Sequence, residues 1–337
     1  MVKIDSALSN KISWLSFLGA CIIVLHHIPR SFIEGDALYH SVMQFHPFCL
    51  VGVPLFFILS GFLFVGGANE NGWWKAAMIK RVKSLLIPYV TINLIYLPFV
   101  YLYHNLGGSA FHSDMPYTMS FVTILSSLGL WLPNNPACNP LWFVRFLLIL
   151  MLIAPLFLYV IRKSHAASLM LVTCLISLWV LMPRFDIPEE VLSYRGLVFF
   201  TIGMHLRIYG LPRVYVWVGV VSLLFALCFS YLYLKGCVFS EFIVPLAGSY
   251  GLFALVPDKH KLAQLFAGAS FSIYAFHIMC LYFIKVVGKI LGFNDAYYYN
   301  IGAMFLVLFI PILGCSAFHR FVIACAPKVA RVLFGGR

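Results

Sequence analysis

Charge is what this sequence has least of. Only 10% of its 337 residues are Asp, Glu, Lys or Arg, while 62% are hydrophobic. A soluble chain of this length needs far more charge on its surface, so a soluble fold is excluded and many membrane spans are implied. Period-two alternation is missing too, which excludes transmembrane strands; the apolar runs are unbroken and read as helices. No CxxC and no Cys/His ligand spacing joins the nine cysteines, which lie scattered and mostly inside apolar runs. They read as small core residues and not as a disulfide or zinc framework, and no metal is expected. No internal repeat is evident, which counts against the commonest transporter designs. The first apolar run lacks a small-residue cleavage site and so reads as a retained helix. With no soluble domain and no long linker, residues 1–337 read as a single integral membrane domain.

What is present is a series of about ten apolar runs, each near the ~20 residues that a bilayer requires. They cover 12–29, 45–66, 86–104, 141–161, 166–182, 194–210, 213–234, 239–256, 268–290 and 298–324. The expected fold is all-α, a polytopic membrane helix bundle. The net charge of +12 lies in short loops, the positive-inside pattern of an inner-type membrane protein, and nucleic-acid binding is not expected. Lys75, Lys80, Arg81 and Lys83 mark one cytoplasmic loop. Arg162 and Lys163, Arg207 and Arg213, Lys259 to Lys261, and the tail with Arg320, Lys328, Arg331 and Arg337 mark others. The pattern closes only if 105–140 does not span. Its apolar run, Met119 to Leu132, is short and reads as re-entrant or interfacial on the outer side. Both termini are then cytoplasmic.

Five segments carry possible chemistry. The first run ends in His26 and His27, and a histidine at membrane depth is costly without a partner. Neighbouring helix positions point about 100° apart, so only one of the two can face the bundle centre. It would serve as a general base or an acyl-accepting nucleophile, unless the pair binds headgroups or backbone. In VPLFFILSGFLF, Ser60 and Gly61 are small residues that allow close helix approach; a serine nucleophile would lack the strand–turn setting of a nucleophile elbow. KRVKSLLIPY places Lys80, Arg81 and Lys83 before a span, where they can bind lipid headgroups or the phosphates of a nucleotide such as coenzyme A. PLWFVRFLLIL carries Trp142 and Arg145; the arginine either snorkels to the interface or faces inward to hold a carboxylate, phosphate or oxyanion. SFSIYAFHIM places His277 near mid-membrane, where it is structural or catalytic. Glu241 is a possible partner for a histidine or Arg145, or a solvated helix-start glutamate.

Taken in order, these segments resemble the membrane-bound acyltransferase family 3, from about Ile12 to about Val322. The SGF and IYxxH elements are the more specific parts. The resemblance implies ten helices in a bacterial cytoplasmic membrane. It implies transfer of an acyl group, usually acetyl, from cytoplasmic acyl-CoA to a hydroxyl of a glycan, a lipid-linked sugar or a small molecule. It makes His27 the catalytic histidine, with Arg145 stabilising the oxyanion or anchoring an anionic sugar. Lys80, Arg81 and Lys83 would hold the nucleotide, and Trp142, His277, Glu241 and Ser60 would face substrate. The family places a basic residue eleven positions before the histidine, and here that position is Ser16; either another base, Arg145 or Lys11, substitutes, or the chain is a divergent or weakly active member. Two other readings stand beside it, a sugar or lipid transporter without catalysis and a family pseudoenzyme. The acceptor and the oligomeric state are not legible.

Overall fold

Asp5 opens the first helix. Its carboxylate accepts from the backbone N–H of Leu8 at 2.8 Å, satisfying one of the donors that every helix start leaves open. From there α1 (Ser6–His26) runs without interruption. In a computed structural model of the chain, residues 1–27, 37–68, 72–105, 125, 128, 136–181, 193–259, 268–291 and 301–336 are described. Among them every regular element is a helix. After α1 come α2 (Ala37–Met43), α3 (Gly52–Phe64), α4 (Trp73–Arg81), α5 (Ile87–Asn105), α6 (Trp142–Lys163) and α7 (His165–Leu181). The chain continues with α8 (Tyr194–Tyr209), α9 (Val216–Tyr233), α10 (Ser240–Leu255), α11 (Ser270–Ile290), α12 (Ile301–Cys325) and α13 (Pro327–Phe334).

Among the described residues each of the expected apolar runs contains helix, and the all-α bundle holds. Five stretches among the described residues are long and apolar enough to cross a membrane: Ser6–His26, Ala37–Gly67, Asn139–Lys163, Val216–Tyr233 and Met304–Cys325. Shorter apolar helices cover His165–Leu181, Ser240–Leu255 and Ser270–Ile284. Prolines 98, 155, 245 and 311 lie inside helices, as membrane helices tolerate. The expected re-entrant run 119–132 falls almost wholly outside the described residues, as does most of the loop after Lys259.

The chain divides into two compact units. One comprises Met1–Val2, Ser60–Gly210 and Ala326–Arg337; the other comprises Lys3–Leu59 and Leu211–Cys325. In the first, α6, α7 and α8 pack on one another. Gly61 lies against the backbone of Phe200 so closely that no Cβ would fit. In the second, α1 packs on α11 and α12, and α9 packs on α10. There the close approach depends on small residues: a Cβ on Gly219 would lie 2.6 Å from that of Ala254, and one on Gly251 would lie 2.6 Å from Leu223. Without a hydrophobic driving force between helices in lipid, such packing is what holds them together.

In each unit, segments expected on the basic side of the membrane touch one another. Val2 donates its N–H to the carbonyl of Arg207, Arg162 donates to the carbonyl of Ala68, and Gly335 lies against Ser84. In the other unit Asn10 and Lys11 meet Asp258. The Lys11 ammonium donates to the carbonyls of Phe253 and Val256 at 3.1 and 2.9 Å and lies 3.3 Å from the Asp258 carboxylate. These carbonyls belong to the C-terminal end of α10, where orphan acceptors and the helix dipole favour a cation. Lys11→Met should therefore destabilise the fold by about 1–3 kcal/mol, read as a lower thermal midpoint in detergent; an unchanged midpoint would remove Lys11 from that capping role.

Candidate functional site

Among the described residues, the end of α1 carries the densest group of imidazoles. His26 closes the helix and His27 is its C-cap, its N–H bonded back to the carbonyls of Val24 and Leu25. The His26 ring lies 5.3 Å from that of His27 and 5.6 Å from that of His46. The His27 ring lies 5.0 Å from that of His277. Four rings therefore run His46, His26, His27, His277 within one unit. Three helical segments bring them there: α1, the 3₁₀ turn His46–Val51 ahead of α3, and α11. Among the described residues no group of three His, Cys, Asp or Glu is placed to hold a metal ion. Imidazoles take up and release protons near neutral pH, and the row is read as acid–base chemistry.

His277 is 0% exposed. Its Nδ1 faces the carbonyls of Ile273 and Tyr274 at 3.1 and 2.8 Å. Carbonyl oxygens only accept, so Nδ1 carries the proton and donates. That leaves Nε2 as an acceptor, and this atom is buried without a hydrogen-bond partner. An imidazole held in one tautomer, with a bare acceptor beside His27, can receive a hydroxyl or an imidazole N–H. The sequence left His277 between a structural and a catalytic role. Its own helix satisfies one nitrogen and leaves the other for a ligand or a neighbour.

Ser16 lies on the same face of α1 as His27. Eleven positions at about 100° each return to within about 20° after three turns, whereas His26 falls about 80° away. The Ser16 hydroxyl donates to the carbonyl of Ile12 at 2.8 Å, so it bonds its own helix in the manner common to serine in apolar helices. Lys11, a proposed substitute for the missing base, is engaged at the end of α10 and sits about 140° around the helix from Ser16.

The remaining candidates lie as follows. Arg145, in the first turn of α6, is 8% exposed, so the guanidinium faces inward and does not snorkel. Its Cζ stands 5.0 Å from the Phe146 ring centroid, and Trp142 meets the same ring edge-on at 5.8 Å. A cation at the positive end of a helix is unfavourable, and its burial there adds to that cost, so an anion at this position would be stabilised. The turn before α6 is fixed by Asn93, fully buried, which accepts from the N–H of Cys138 at 2.9 Å and donates to the carbonyl of Tyr89 at 2.8 Å. Ser60 is half-buried in α3, and Glu241 is half-buried in the first turn of α10. Lys80 and Lys83 are exposed and Arg81 is half-buried. Between α4 and α5 the helix widens into a π segment, Val82–Leu86, where Ile87 N–H reaches back to Val82. Pro88 explains it: the ring clashes with the carbonyl four residues back and supplies no N–H, and such bulges gather at functional sites. The Arg81 Nε is buried with no hydrogen-bond partner, and burial lowers the guanidinium pKa from its ordinary value. A phosphate would offset both.

Three residues escaped the sequence reading. His46 lies at the start of the run 45–66 and was assigned no role. Asn93 was hidden inside a span. Arg207, 7% exposed with Nε and Nη1 buried and unpartnered, was counted only as a topological charge, although its Cζ stands 5.0 Å from the Phe62 ring centroid.

No curated protein and no solved structure matches the chain. A family model does, the acyltransferase domain of acyltransferase family 3, and it spans residues 10–320. With its helical bundle, its histidine cluster and a family match over nearly its whole length, the chain belongs to acyltransferase family 3.

Proposed function

We propose that this membrane acyltransferase moves an acetyl group from acyl-CoA, held on the basic side, to a hydroxyl of a cell-surface glycan or lipid-linked sugar. The observation that carries the reading is His27 at the centre of the imidazole row, flanked by the tautomer-fixed ring of His277. In the step proposed, His27 takes the proton of the acceptor hydroxyl as its oxygen attacks the thioester carbonyl. The carbon–sulfur bond breaks, and His27 returns the proton to the departing thiolate, leaving the ester and free coenzyme A. A transient acyl-imidazole on His27 is the variant of the same chemistry. His277 orients His27 or receives the acceptor hydroxyl. Arg145, buried at the start of α6, offers a charged partner to an anionic sugar, and Trp142 offers a stacking face to a sugar ring.

Arg81 suits the phosphates of the donor because its Nε is buried without a partner; Lys80 and Lys83 add charge nearby, and bacterial inner-membrane placement would put them in the cytoplasm. Arg81→Glu with Lys83→Glu should raise the KM for acetyl-CoA about tenfold or more at nearly unchanged kcat. The assay is coenzyme A release by the purified protein with candidate glycans; an unaltered KM would return these residues to the lipid surface. Ser16 favours one second reading, a catalytically silent family member, because the face below His27 carries a hydroxyl bonded to its own helix. No coenzyme A release with any hydroxyl acceptor, from protein that binds acetyl-CoA, would decide for it.

A further inference from the structure

A cavity of about 370 Å³ lies at the basic end of α6, lined by Trp73, Pro155, Leu158, Tyr159, Arg162 and Lys163. It lies within one unit, and nothing in the acyl-transfer proposal uses it. Its two cations are both exposed, and the other lining side chains are aromatic or aliphatic. The Arg162 guanidinium is held in place by donating to the carbonyl of Ala68 at 2.9 Å. The Lys163 ammonium sits over the Tyr159 ring, 4.7 Å from its centroid. On the other side α4 carries Trp73 and has no buried residue, as an interfacial helix would.

What fills such a site is indicated by the face it opens on. Leu152, Leu156 and Tyr159 are 53%, 70% and 67% exposed. With Lys163, also exposed, they recur at helical spacing along one face of α6. Large apolar side chains exposed in a row on a membrane helix face lipid. From Leu152 to Lys163 the rise is about 16 Å at ~1.5 Å per residue, close to one leaflet of the ~30 Å hydrocarbon core. The face therefore runs from mid-membrane to a pair of cations beside an aromatic ring, at the level where headgroups lie.

The geometry points to a resident anionic phospholipid: its phosphate between Arg162 and Lys163, the glycerol region against Trp73 and Tyr159, and one acyl chain along Leu156 and Leu152. A soluble nucleotide carries phosphate too, but it has no use for the apolar face that continues below the cavity. Each cation contributes about fivefold in affinity for an anionic surface, so the pair gives about 25-fold for an anionic over a zwitterionic lipid.

The test is native mass spectrometry of the purified full chain with phosphatidylglycerol, phosphatidylcholine and coenzyme A as probes. Phosphatidylglycerol should be retained about 25-fold over phosphatidylcholine, and coenzyme A should not displace it. Lys163→Gln, which touches no backbone, should lower that preference about fivefold without moving the thermal midpoint in neutral detergent; Arg162→Gln with Lys163→Gln should abolish it. Equal retention of the two lipids, undiminished phosphatidylglycerol on the Lys163→Gln chain, or displacement by coenzyme A would each overturn the assignment. None of these outcomes depends on acyl transfer.

Discussion

His27→Ala should lower acyl transfer by about 10²–10⁴-fold, the ordinary contribution of a positioned general base, which is about 3–5.5 kcal/mol of barrier. The loss should fall on kcat more than on the KM for acetyl-CoA, because the donor's phosphates would be held by Arg81 and its neighbours. The fold should be spared. His27 contributes its backbone N–H to the end of α1, and alanine keeps that bond; the side chain itself is exposed. His26→Ala should cost far less, since His26 lies about 80° around the helix from the face that His27 shares with Ser16. His277→Gln separates the two roles open to that ring. Gln can accept a hydrogen bond but cannot reproduce an imidazole held by the Ile273 and Tyr274 carbonyls. If His277 only packs, the variant loses stability and keeps kcat; if it orients His27, kcat falls while the folded fraction holds. Coenzyme A release by His27→Ala within about threefold of the parent chain would remove His27 from the chemistry.

The bundle was legible because membrane helices must be long and apolar, and both properties are read directly from sequence. The loop charges were informative as well: segments grouped as basic-side meet in contacts such as Val2 with Arg207 and Lys11 with Asp258. The histidine site was legible only in part. His26 and His27 stood out because they end an apolar run, and His277 because it is isolated in one. His46 reaches the same place from a 3₁₀ turn after a gap in sequence, and no spacing rule links it to the others. Arg145 and Arg207 illustrate a different limit. Both are arginines at span ends, where snorkelling and topology explain most cases. Burial of both guanidiniums separates them from Lys163, which does lie exposed. Whether a terminal arginine turns inward depends on which neighbours cover it, and that is tertiary information. Ser16 is the converse. The sequence exposed the missing charge, and the fold gives the hydroxyl an intrahelical acceptor without supplying a cation from Lys11.

Gly61→Ala should be the most damaging glycine-to-alanine substitution within the described helices. The Cβ would overlap the carbonyl oxygen of Phe200, and it would stand 2.9 Å from the Phe200 carbonyl carbon and 3.2 Å from the Met204 nitrogen. All of these are backbone atoms of α8, so relief requires the helices to part, and no side chain can rotate away to make room. Parting them opens the contact on which Phe64 and Phe200 also pack, their ring centroids 6.1 Å apart. Overpacking of this kind costs about 3 kcal/mol or more, a fall in thermal midpoint on the order of 5–10 °C. Gly314→Ala is the control. Gly314 lies inside α12, and a methyl group added there would meet nothing within 4 Å, so alanine removes chain entropy without a clash and should be neutral or slightly stabilising. Ser60→Ala completes the set, because it separates the two uses of the SGF element. If Ser60 and Gly61 serve packing, Ser60→Ala leaves both midpoint and coenzyme A release nearly unchanged while Gly61→Ala lowers the midpoint. If Ser60 is a nucleophile, its substitution stops turnover in a protein of normal stability. The backbone contact at Gly61 favours the first outcome, and a Gly61→Ala chain as stable as the parent would show that α3 and α8 do not need to touch.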